Sequence, residues 1–326
     1  MARFSRQVLI LISLMIGATV LNAQNMQQES KNLKMVLDWY REVITFGHVD
    51  MASKYMADNY MEHDPNLAGG RKEFVAFYGK NPPRPIQASL PTQPAKSFAK
   101  GDYVVLVWEH PDKDAISGTP YSYFTYDVVH VKDGKIQEHW SSLPKTMGGA
   151  SMMKAPKPGT YPVPEGIPMA GTYDASSLKY TPAEKKNIDI AVGYYRDVVQ
   201  SHHHEMAWDY LAKDEIQHNP NDPTTPQGLL AWFNYRAPKP DPLRKELTSL
   251  PDLLIAKGDM ILFMYNRETK DPQDPSKNYM RSRFEMVRME NGKVKEHWDV
   301  ADRKSTTRSA VLDWCIKAGR NDCPKP

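Results

Sequence analysis

Apolar residues at helical spacing open each half of the chain. Thr181, Pro182 and Glu184 predict a capped start for the helix of the second half. A second short helix is predicted over residues 51–56, a third around Phe74, and both have counterparts in the second half. The apolar positions of the two opening helices recur at intervals of three and four residues: Leu33, Val36, Leu37, Tyr40, Val43 and Ile44, then Ile188, Ala191, Val192, Tyr195, Val198 and Val199.

Alternating apolar and polar residues then predict strands. Residues 121–131 lead through an Asp-Gly pair at 133–134 into another strand, and residues 281–289 do so through an Asn-Gly pair at 291–292. Both pairs favour hairpin turns because their residues tolerate positive φ. Helices followed by antiparallel strands predict an α+β domain in which the helices cover one face of a curved sheet.

The chain repeats itself. Residues 36–66 align without a gap on residues 191–221, and the identical residues include Tyr40, His63 and Pro65 of the first copy. Later in each copy residues 127–140 align on 285–298, with 6 of 14 positions identical. Two collinear blocks in the same order indicate a tandem duplication.

The repeat and the composition divide the chain into five parts. We expect a signal peptide at 1–23, a first domain at 32–143, a linker at 144–180, a second domain at 181–303 and a C-terminal tail at 304–326. The linker is rich in Pro, Gly, Met and Ser, which favours an extended segment that packs across the surface or spans between the domains.

The N-terminus is typical of a secretory signal. Arg3 and Arg6 precede the apolar run Val8–Val20, and Ala23 stands before the expected cleavage point. This predicts a periplasmic or secreted protein with no stable membrane insertion after cleavage; an uncleaved N-terminal anchor is the alternative. In an exported protein, Cys315 and Cys323 of the tail are expected to form a disulfide rather than a redox pair.

The charged residues and the histidines argue against two classes of partner, nucleic acids and metal ions. The chain carries 42 basic and 39 acidic residues and a formal charge of +3. Near neutrality argues against a nucleic-acid partner, which needs a clustered positive face. The consecutive residues 202–205, His-His-His-Glu, do not predict a metal site because adjacent side chains point in different directions.

The final hairpin of each half carries polar residues on one face. Period 2 puts them on the side that we expect to be concave, and polar groups inside an apolar sheet are typical of a ligand pocket. The two sets are Thr125, Asp127, His139 and Ser141, then Arg283, Glu285, His297 and Asp299.

Two motifs carry a family resemblance. The segment 60–66 (Tyr-Met-Glu-His-Asp-Pro-Asn) and the segment 129–140, which ends in Glu-His-Trp, resemble the SnoaL-like branch of the nuclear transport factor 2-like superfamily. The resemblance extends to both copies. It implies two tandem cone-shaped α+β barrels, each with three N-terminal helices on a curved antiparallel sheet, paired as an intramolecular pseudo-dimer.

The resemblance also implies a range of functions. Members include polyketide cyclases that close a ring by aldol condensation without metal or organic cofactor, epoxide-hydrolase-like enzymes, ketosteroid isomerases and binding proteins. In the cyclases an Asp near the end of the hairpin removes a proton from carbon. That position is Asp299 here and Ser141 in the first copy, and Ser141 is not a base of that kind. The facing-strand position falls on Glu285 and Asp127.

These positions define the predicted catalytic residues. Asp299 is the expected base, assisted by His297 and Glu285, because burial raises the pKa of a carboxylate towards the range of a general base. The alternative is that Asp299 caps a backbone amide or pairs with Arg283.

Further residues are predicted to bind a ligand. They include His63 and His218, for which the alternative is holding the Pro-containing turn to the backbone. The motif Tyr60 becomes Glu215 in the second copy. The full set is His63, Tyr60, Asp127, His139, His218 and Arg283.

Three functions follow. The first is cofactor-independent aldol, cyclase or isomerase chemistry on a small apolar or aromatic carbonyl compound in the second half. The second is non-catalytic binding of a small molecule in a hydrophobic pocket. The third is that one copy has become a structural partner of the other.

Overall fold

The two halves of the chain contain the same order of elements. The computed structural model describes residues 23–67, 69–149 and 161–323, and the elements below are those of these residues. Most of the predicted signal peptide, residues 1–22, and part of the predicted linker, residues 150–160, lie outside them. No helix in the described residues combines the length and apolarity needed to cross a membrane.

The first half opens with helices and continues as a sheet. A helix over residues 23–39, α1, continues as a π-helical turn, Tyr40–Thr45. It is followed by the 3-10 turn Val49–Met51, α2 (Ala52–Tyr55) and α3 (Arg71–Tyr78). The strands are β1 (Met56–Glu62), β2 (Lys96–Lys100), β3 (Tyr103–Lys113), β4 (Pro120–Lys132) and β5 (Lys135–Ser141).

The second half repeats this order and adds a C-terminal helix. Its helices are α4 (Pro182–Gly193) with the π-helical turn Tyr194–Gln200, the 3-10 turn His204–Met206, α5 (Ala207–Tyr210), α6 (Pro226–Arg236) and α7 (Ala310–Lys317). Its strands are β6 (Leu211–Gln217), β7 (Leu253–Lys257), β8 (Met260–Lys270), β9 (Asn278–Glu290) and β10 (Lys293–Asp299).

Each half forms one open five-stranded sheet. The strand orders are β1-β5-β4-β3-β2 and β6-β10-β9-β8-β7. The predicted α+β class is confirmed, and each sheet is open, because its described edge strands do not pair with one another. The sheets are also mixed rather than wholly antiparallel, since β1 pairs with β5 in parallel and β6 with β10 in parallel.

Local sequence explains where the elements begin and turn. The side chain of Thr181 accepts a hydrogen bond from the backbone N–H of Glu184, and the side chain of Glu184 accepts one from the backbone N–H of Thr181. The helix α4 therefore starts with a capping box, and Pro182 is its first residue. The hairpin turns contain Asp133 and Asn291 at φ 54° and 50°, each followed by a Gly. Positive φ at both central residues suits the twist of the flanking strands.

The outer faces of the two sheets pack against each other. Tyr126 of β4 stacks on Phe284 of β9 with ring centroids 5.4 Å apart, and the two occupy corresponding places in the halves. The described part of the predicted linker completes this core, since Tyr173 and Leu178 are buried in the same apolar cluster. The described residues 161–180 therefore contact both halves, since Asp174 accepts from Tyr103 and Ala170 donates to Pro251.

Ion pairs between the halves are reciprocal. Lys100 of β2 pairs with Glu184 of α4 at 2.8 Å, and Lys257 of β7 pairs with Glu29 of α1. Glu29 and Glu184 occupy corresponding places, as do the two lysines. Each half thus contributes one glutamate and one lysine, at corresponding positions, to the ion pairs between the halves.

Two further ion pairs join the halves at the other end of the interface between them, which we call the seam. The buried Lys145 pairs with Asp271 at 2.6 Å, and the buried Arg303 pairs with Asp114 at 3.4 Å. An interface in which residue i meets j and j meets i is the pattern of a twofold dimer.

The C-terminal tail is attached to the second half. Cys315 of α7 and Cys323 are joined by a disulfide with a Cα separation of 5.7 Å. The closed loop brings Asp322 to the start of α6, where its carboxylate accepts from the Thr225 hydroxyl at 2.8 Å. Trp314 of α7 packs on Trp232 of α6.

Candidate functional site

The first half encloses a cavity of about 340 Å³ between its helices and the concave face of its sheet. Aromatic rings and polar groups alternate around it, as is usual for small-molecule sites. Its walls include the predicted residues Asp127 and His139. Among the other lining residues are Tyr40, Asp64, Tyr78, Trp108, Thr125 and Ser141.

His139 lies between two carboxylates at the bottom of this face. Its Nδ1 is 2.9 Å from Glu62 Oε1, and its Nε2 is 3.0 Å from Asp127 Oδ1. Burial opposes a charge on the ring, but the charge of Glu62 and the hydrogen bond to Asp127 together raise the pKa of His139 well above its ordinary value. The protonated ring therefore donates from both nitrogens.

Asp127 is fully engaged by donors. The Tyr40 hydroxyl donates to its Oδ2 at 2.7 Å and the Trp108 Nε1–H donates to the same oxygen at 2.6 Å. With His139 on Oδ1, both oxygens of Asp127 are committed. A carboxylate with three donors is fixed in place, which suits an anchoring role.

A second acid reaches the cavity from the end of β1. The Ser141 hydroxyl donates to Asp64 Oδ2 at 2.7 Å, and the backbone N–H of Asn66 donates to Asp64 Oδ1 at 2.7 Å. Burial and the nearby charge of Glu62 raise the pKa of Asp64. The hairpin-end position of the first half therefore does have a carboxylate beside it, although Ser141 itself is not one.

The second half has the same arrangement with one charge fewer. His297 Nδ1 is 2.9 Å from Gln217 Oε1, and its Nε2 is 2.8 Å from Glu285 Oε2. Burial opposes protonation, but the hydrogen bond and charge of Glu285 raise the pKa of His297 to about 9. Gln217 occupies the position that corresponds to Glu62. The imidazole of His297 therefore contacts one carboxylate, through Nε2, and one neutral amide, through Nδ1.

Asp299 lies beside this pair with one oxygen unused. The Asn219 amide donates to Asp299 Oδ2 at 2.8 Å, whereas Oδ1 is buried and has no hydrogen-bond partner among the described residues. Burial and the charge of Glu285, its cross-strand neighbour, raise the pKa of Asp299 to about 8. The carboxyl group is thus mostly protonated at neutral pH and can exchange a proton near it.

Two further acids of the second half lie close by. Burial raises the pKa of Glu215 to about 7 and that of Asp222 to about 6. Glu215 Oε2 is also buried without a hydrogen-bond partner in the described residues. In the second half, Glu215 and Asp299 each have a buried carboxylate oxygen without a donor among the described residues, whereas both oxygens of Asp127 and of Asp64 in the first half accept hydrogen bonds.

One group of side chains could approach a cation. One ligand atom each of Glu285, His297 and Asp299 lies within 4.8 Å of the others. A carboxylate–imidazole–carboxylate set suits a divalent metal chemically. The consecutive histidines do not converge, since His203 bonds to Glu205 and His204 to Asn234.

The predicted catalytic residues and two of the predicted binding residues come together on the concave faces. Asp299, His297 and Glu285 are neighbours in the second half, and Asp127 and His139 are neighbours in the first. Their roles in a reaction or in binding stay predictions.

Other predicted binding residues lie elsewhere. His63 stacks on Trp140 and bonds to Glu138 on the outer side of the sheet, and His218 stacks on Trp298 in the same way. The backbone N–H of His63 also donates to the carbonyl of His139. These contacts favour the turn-holding alternative.

The last two predicted residues flank the sites. Tyr60 is buried and donates to Glu62 at 2.5 Å, behind the cavity rather than in its wall. Arg283 is exposed on β9. Neither contacts the imidazole of its own half through a described hydrogen bond.

The sequence argument missed the residues that β1 and α1 contribute. Glu62 bonds to His139, Tyr40 donates to Asp127, and Asp64 accepts from Ser141. The only signal was the motif at residues 60–66, which contains Glu62 and Asp64 beside the predicted Tyr60 and His63.

Residues 36–139 match the family model described as a SnoaL-like domain. The resemblance inferred from the motifs is confirmed for this segment, which is about a third of the chain. No curated protein matches the chain.

Several solved structures are similar to part of the chain. A candidate polyketide cyclase from Acidithiobacillus ferrooxidans is 18% identical with a TM-score of 0.25, over 34% of this chain and 86% of that one. A candidate SnoaL-like polyketide cyclase from Jannaschia sp. CCS1 is 20% identical with a TM-score of 0.27, over 35% and 85%. An epoxide hydrolase from M. tuberculosis, described as LEH-like, is 12% identical with a TM-score of 0.26, over 35% and 79%. Likenesses at this level carry no argument about activity.

Proposed function

We propose that the second half performs cofactor-independent acid–base chemistry on a small carbonyl compound, with Asp299 as the base. The observation that carries this is the buried Asp299 Oδ1, to which no side chain or backbone group of the described residues donates. A carboxylate oxygen that the protein itself does not use is available to a proton of a bound molecule. The matching acid of the first half, Asp64, has donors on both oxygens.

The surrounding groups support the same role. In its ionised form Asp299 removes a proton from the carbon next to the carbonyl. The electron pair of that C–H bond forms the new C=C bond, and the π pair of the carbonyl moves onto its oxygen to give an enolate. His297 carries the positive charge that offsets this enolate. Glu285 keeps that imidazole protonated. Return of the proton to another carbon gives an isomerase, and attack of the enolate on a second carbonyl gives an aldol cyclase.

The experiment starts from the molecule that copurifies with the protein. After its identification by mass spectrometry, it is incubated with the protein in D₂O, and exchange of the protons next to its carbonyl is followed by NMR. We expect Asp299→Asn to slow exchange by roughly 10²- to 10⁴-fold, the usual contribution of a general base. Asp64→Asn is the matched control and should leave exchange unchanged.

The result that contradicts the proposal is equally plain. If Asp299→Asn exchanges protons at the wild-type rate while its circular dichroism is native, Asp299 is not the base. A loss of exchange in Asp64→Asn instead would place the chemistry in the first half. Exchange that a chelator abolishes would show that a metal ion is involved.

The second candidate is small-molecule binding in the first half without catalysis. The cavity of about 340 Å³ carries it, because its fixed polar groups, Asp127 and His139, can orient one polar end of an apolar or aromatic ligand. Thr125→Phe fills this cavity, and Arg283→Phe is the corresponding change in the second half. Ligand lost at least tenfold by Thr125→Phe alone, measured by calorimetry, would support binding here; loss by Arg283→Phe alone would exclude it.

We also infer that the halves arose by tandem duplication and associate as an intramolecular pseudo-dimer. The reciprocal pairs Lys100–Glu184 and Lys257–Glu29 support this. One rotational correlation time for both halves by NMR relaxation is expected, and independent tumbling would contradict it.

Export is part of the proposal. The basic start and apolar run of residues 1–23 support it. N-terminal sequencing of the mature protein should begin near Gln24, and a full-length chain retained in the cytoplasm would contradict it.

A further inference from the structure

A second cavity of about 420 Å³ lies on the seam between the halves. Its walls come from the first part of β4 and the segment after β5 on one side, and from the start of β9 and the segment after β10 on the other. The first half supplies mostly apolar and hydroxyl groups, whereas the second half supplies the charges. The lining residues that matter here are Phe124, Leu143, Pro144, Arg281, Asp302 and Lys304.

Arg281 is the unusual member of this wall. It is partly buried, and its Nε has no hydrogen-bond acceptor among the described residues. Its cross-strand neighbour on β8 is Arg267, another cation, whose own side chain is engaged by Asp252. A half-buried guanidinium without a partner is costly, and proteins normally pair it with an anion.

The position corresponding to Arg281 in the first half is Tyr123, so the charge is specific to one side of the seam. Lys304 of the second half lies over the Tyr123 ring at 4.4 Å and donates to its hydroxyl at 2.5 Å. The cation of Lys304 is thus held at the same cavity. Two cations and one acid, Asp302, leave a net single positive charge facing the cavity.

We propose that the seam cavity binds a small organic carboxylate, with Arg281 as its charged anchor. The planar fork of a guanidinium matches a carboxylate in two parallel hydrogen bonds. The single net charge favours a monoanion over a dianion such as phosphate. Phe124, Leu143 and Pro144 provide the apolar wall for the body of the molecule.

The seam cavity adjoins the cavity of the first half. Tyr123, Thr125 and Leu143 line both. An acid bound at Arg281 therefore sits at the mouth of the first-half cavity, and the second half contributes a residue to a site beside the first. This assignment is independent of catalysis at Asp299.

The test uses the full-length protein and a matched pair of probes, 2-naphthoate and its neutral analogue 2-naphthamide, with affinity measured by calorimetry. We expect one naphthoate to bind per chain, and naphthamide to bind at least tenfold more weakly. Arg281→Gln should weaken naphthoate binding at least tenfold. Arg244→Gln, which removes an exposed arginine that does not line the seam cavity, should change it less than twofold.

A second variant separates geometry from charge and covers the case in which Arg281→Gln fails to fold. Arg281→Lys keeps the positive charge but loses the fork, so naphthoate binding should fall to a value between wild type and Arg281→Gln. The proposal is overturned by any of three results: no naphthoate binding to the wild-type protein at millimolar concentration, equal affinity for the acid and the amide, or wild-type affinity in both Arg281 variants.

Discussion

The same hydrogen bond occurs in both halves with its acid on opposite strands. In the first half Ser141 donates to Asp64, whereas in the second half Asn219 donates to Asp299. The two donor–acceptor distances are 2.7 and 2.8 Å. A serine at the hairpin end therefore does not remove the carboxylate from the first half, and a motif compared one position at a time misses an exchange between two strands.

The two halves also differ in the number of hydrogen-bond donors that contact the carboxylate of each site. Asp64 accepts from the Ser141 hydroxyl and from both the backbone N–H and the side-chain amide of Asn66, whereas Asp299 accepts only from Asn219 among the described residues. Donors to the ionised form hold a carboxylate charged, and burial without donors holds it protonated. The first half is built as a fixed, charged framework around a cavity, and the second half as a set of acids that exchange protons near neutral pH.

The largest predicted effect tests whether the reciprocal contacts of the halves are energetically equal. Lys100 and Glu184 are both buried, whereas the Lys257 side chain is 34% exposed in its pair with Glu29. Removing one partner of a buried pair leaves an unpaired charge, so Lys100→Met should lower the free energy of unfolding by about 3 kcal/mol. Lys257→Met should cost less than about 1 kcal/mol. Urea unfolding followed by circular dichroism measures both.

A double variant provides the control for this comparison. Glu184→Gln added to Lys100→Met removes the stranded charge and should recover part of the loss. Equal costs for the two lysine variants would mean that burial does not distinguish the pairs. The difference between two otherwise corresponding contacts would then have another origin.

Much of the fold could be predicted because it is encoded locally. The helices follow from apolar spacing, the start of α4 from Thr181 and Glu184, and the hairpins from the Asp-Gly and Asn-Gly turns. Each of these signals lies within a few residues of the feature that it specifies. The concave placement of His139 and Asp127 follows from strand period in the same way.

The missed parts depend on distant contacts. The edge strand β1 has no regular alternation of buried and exposed residues, and it pairs in parallel with β5, whose paired residues lie 77 to 80 positions later in the chain. Its acids Glu62 and Asp64 were missed with it. The number of hydrogen-bond donors to Asp299 depends on residues from other elements, such as Asn219 after β6. The sequence pattern of β10 alone does not predict that number.

The second prediction concerns the acids without donors. Burial and the charge of Glu285 raise the pKa of Asp299 to about 8 from an ordinary value of 3.8. A carboxyl group with a raised pKa holds its proton more tightly in the folded state, so its stabilising effect is present at low pH and is lost as the pH rises through about 8. Asp299→Asn should therefore match the wild type near pH 4 and be more stable by about 2 kcal/mol near pH 9.

Asp64→Asn is the comparison for this pH series. Burial also raises the pKa of Asp64, but Ser141 and Asn66 donate to it, so the gain at high pH should be smaller. Urea unfolding at several pH values decides the matter. A pH dependence of the Asp299→Asn variant that coincides with that of the wild-type protein would show that Asp299 is ionised throughout.

The smallest predicted effect exchanges the feature that distinguishes the two imidazoles. Glu62→Gln gives His139 the amide that His297 has in Gln217, and Gln217→Glu makes the reverse change. Because a hydrogen bond to a charged acceptor is stronger than one to an amide, Glu62→Gln should lower the free energy of unfolding by about 1 kcal/mol and lower the pKa of His139. Gln217→Glu should raise the pKa of His297 above its value of about 9. NMR titration of the ring resonances measures both shifts. If neither pKa moves, the flanking carboxylate does not control the imidazole, and the contrast between a charged framework in one half and a proton-exchanging set in the other must rest on burial alone.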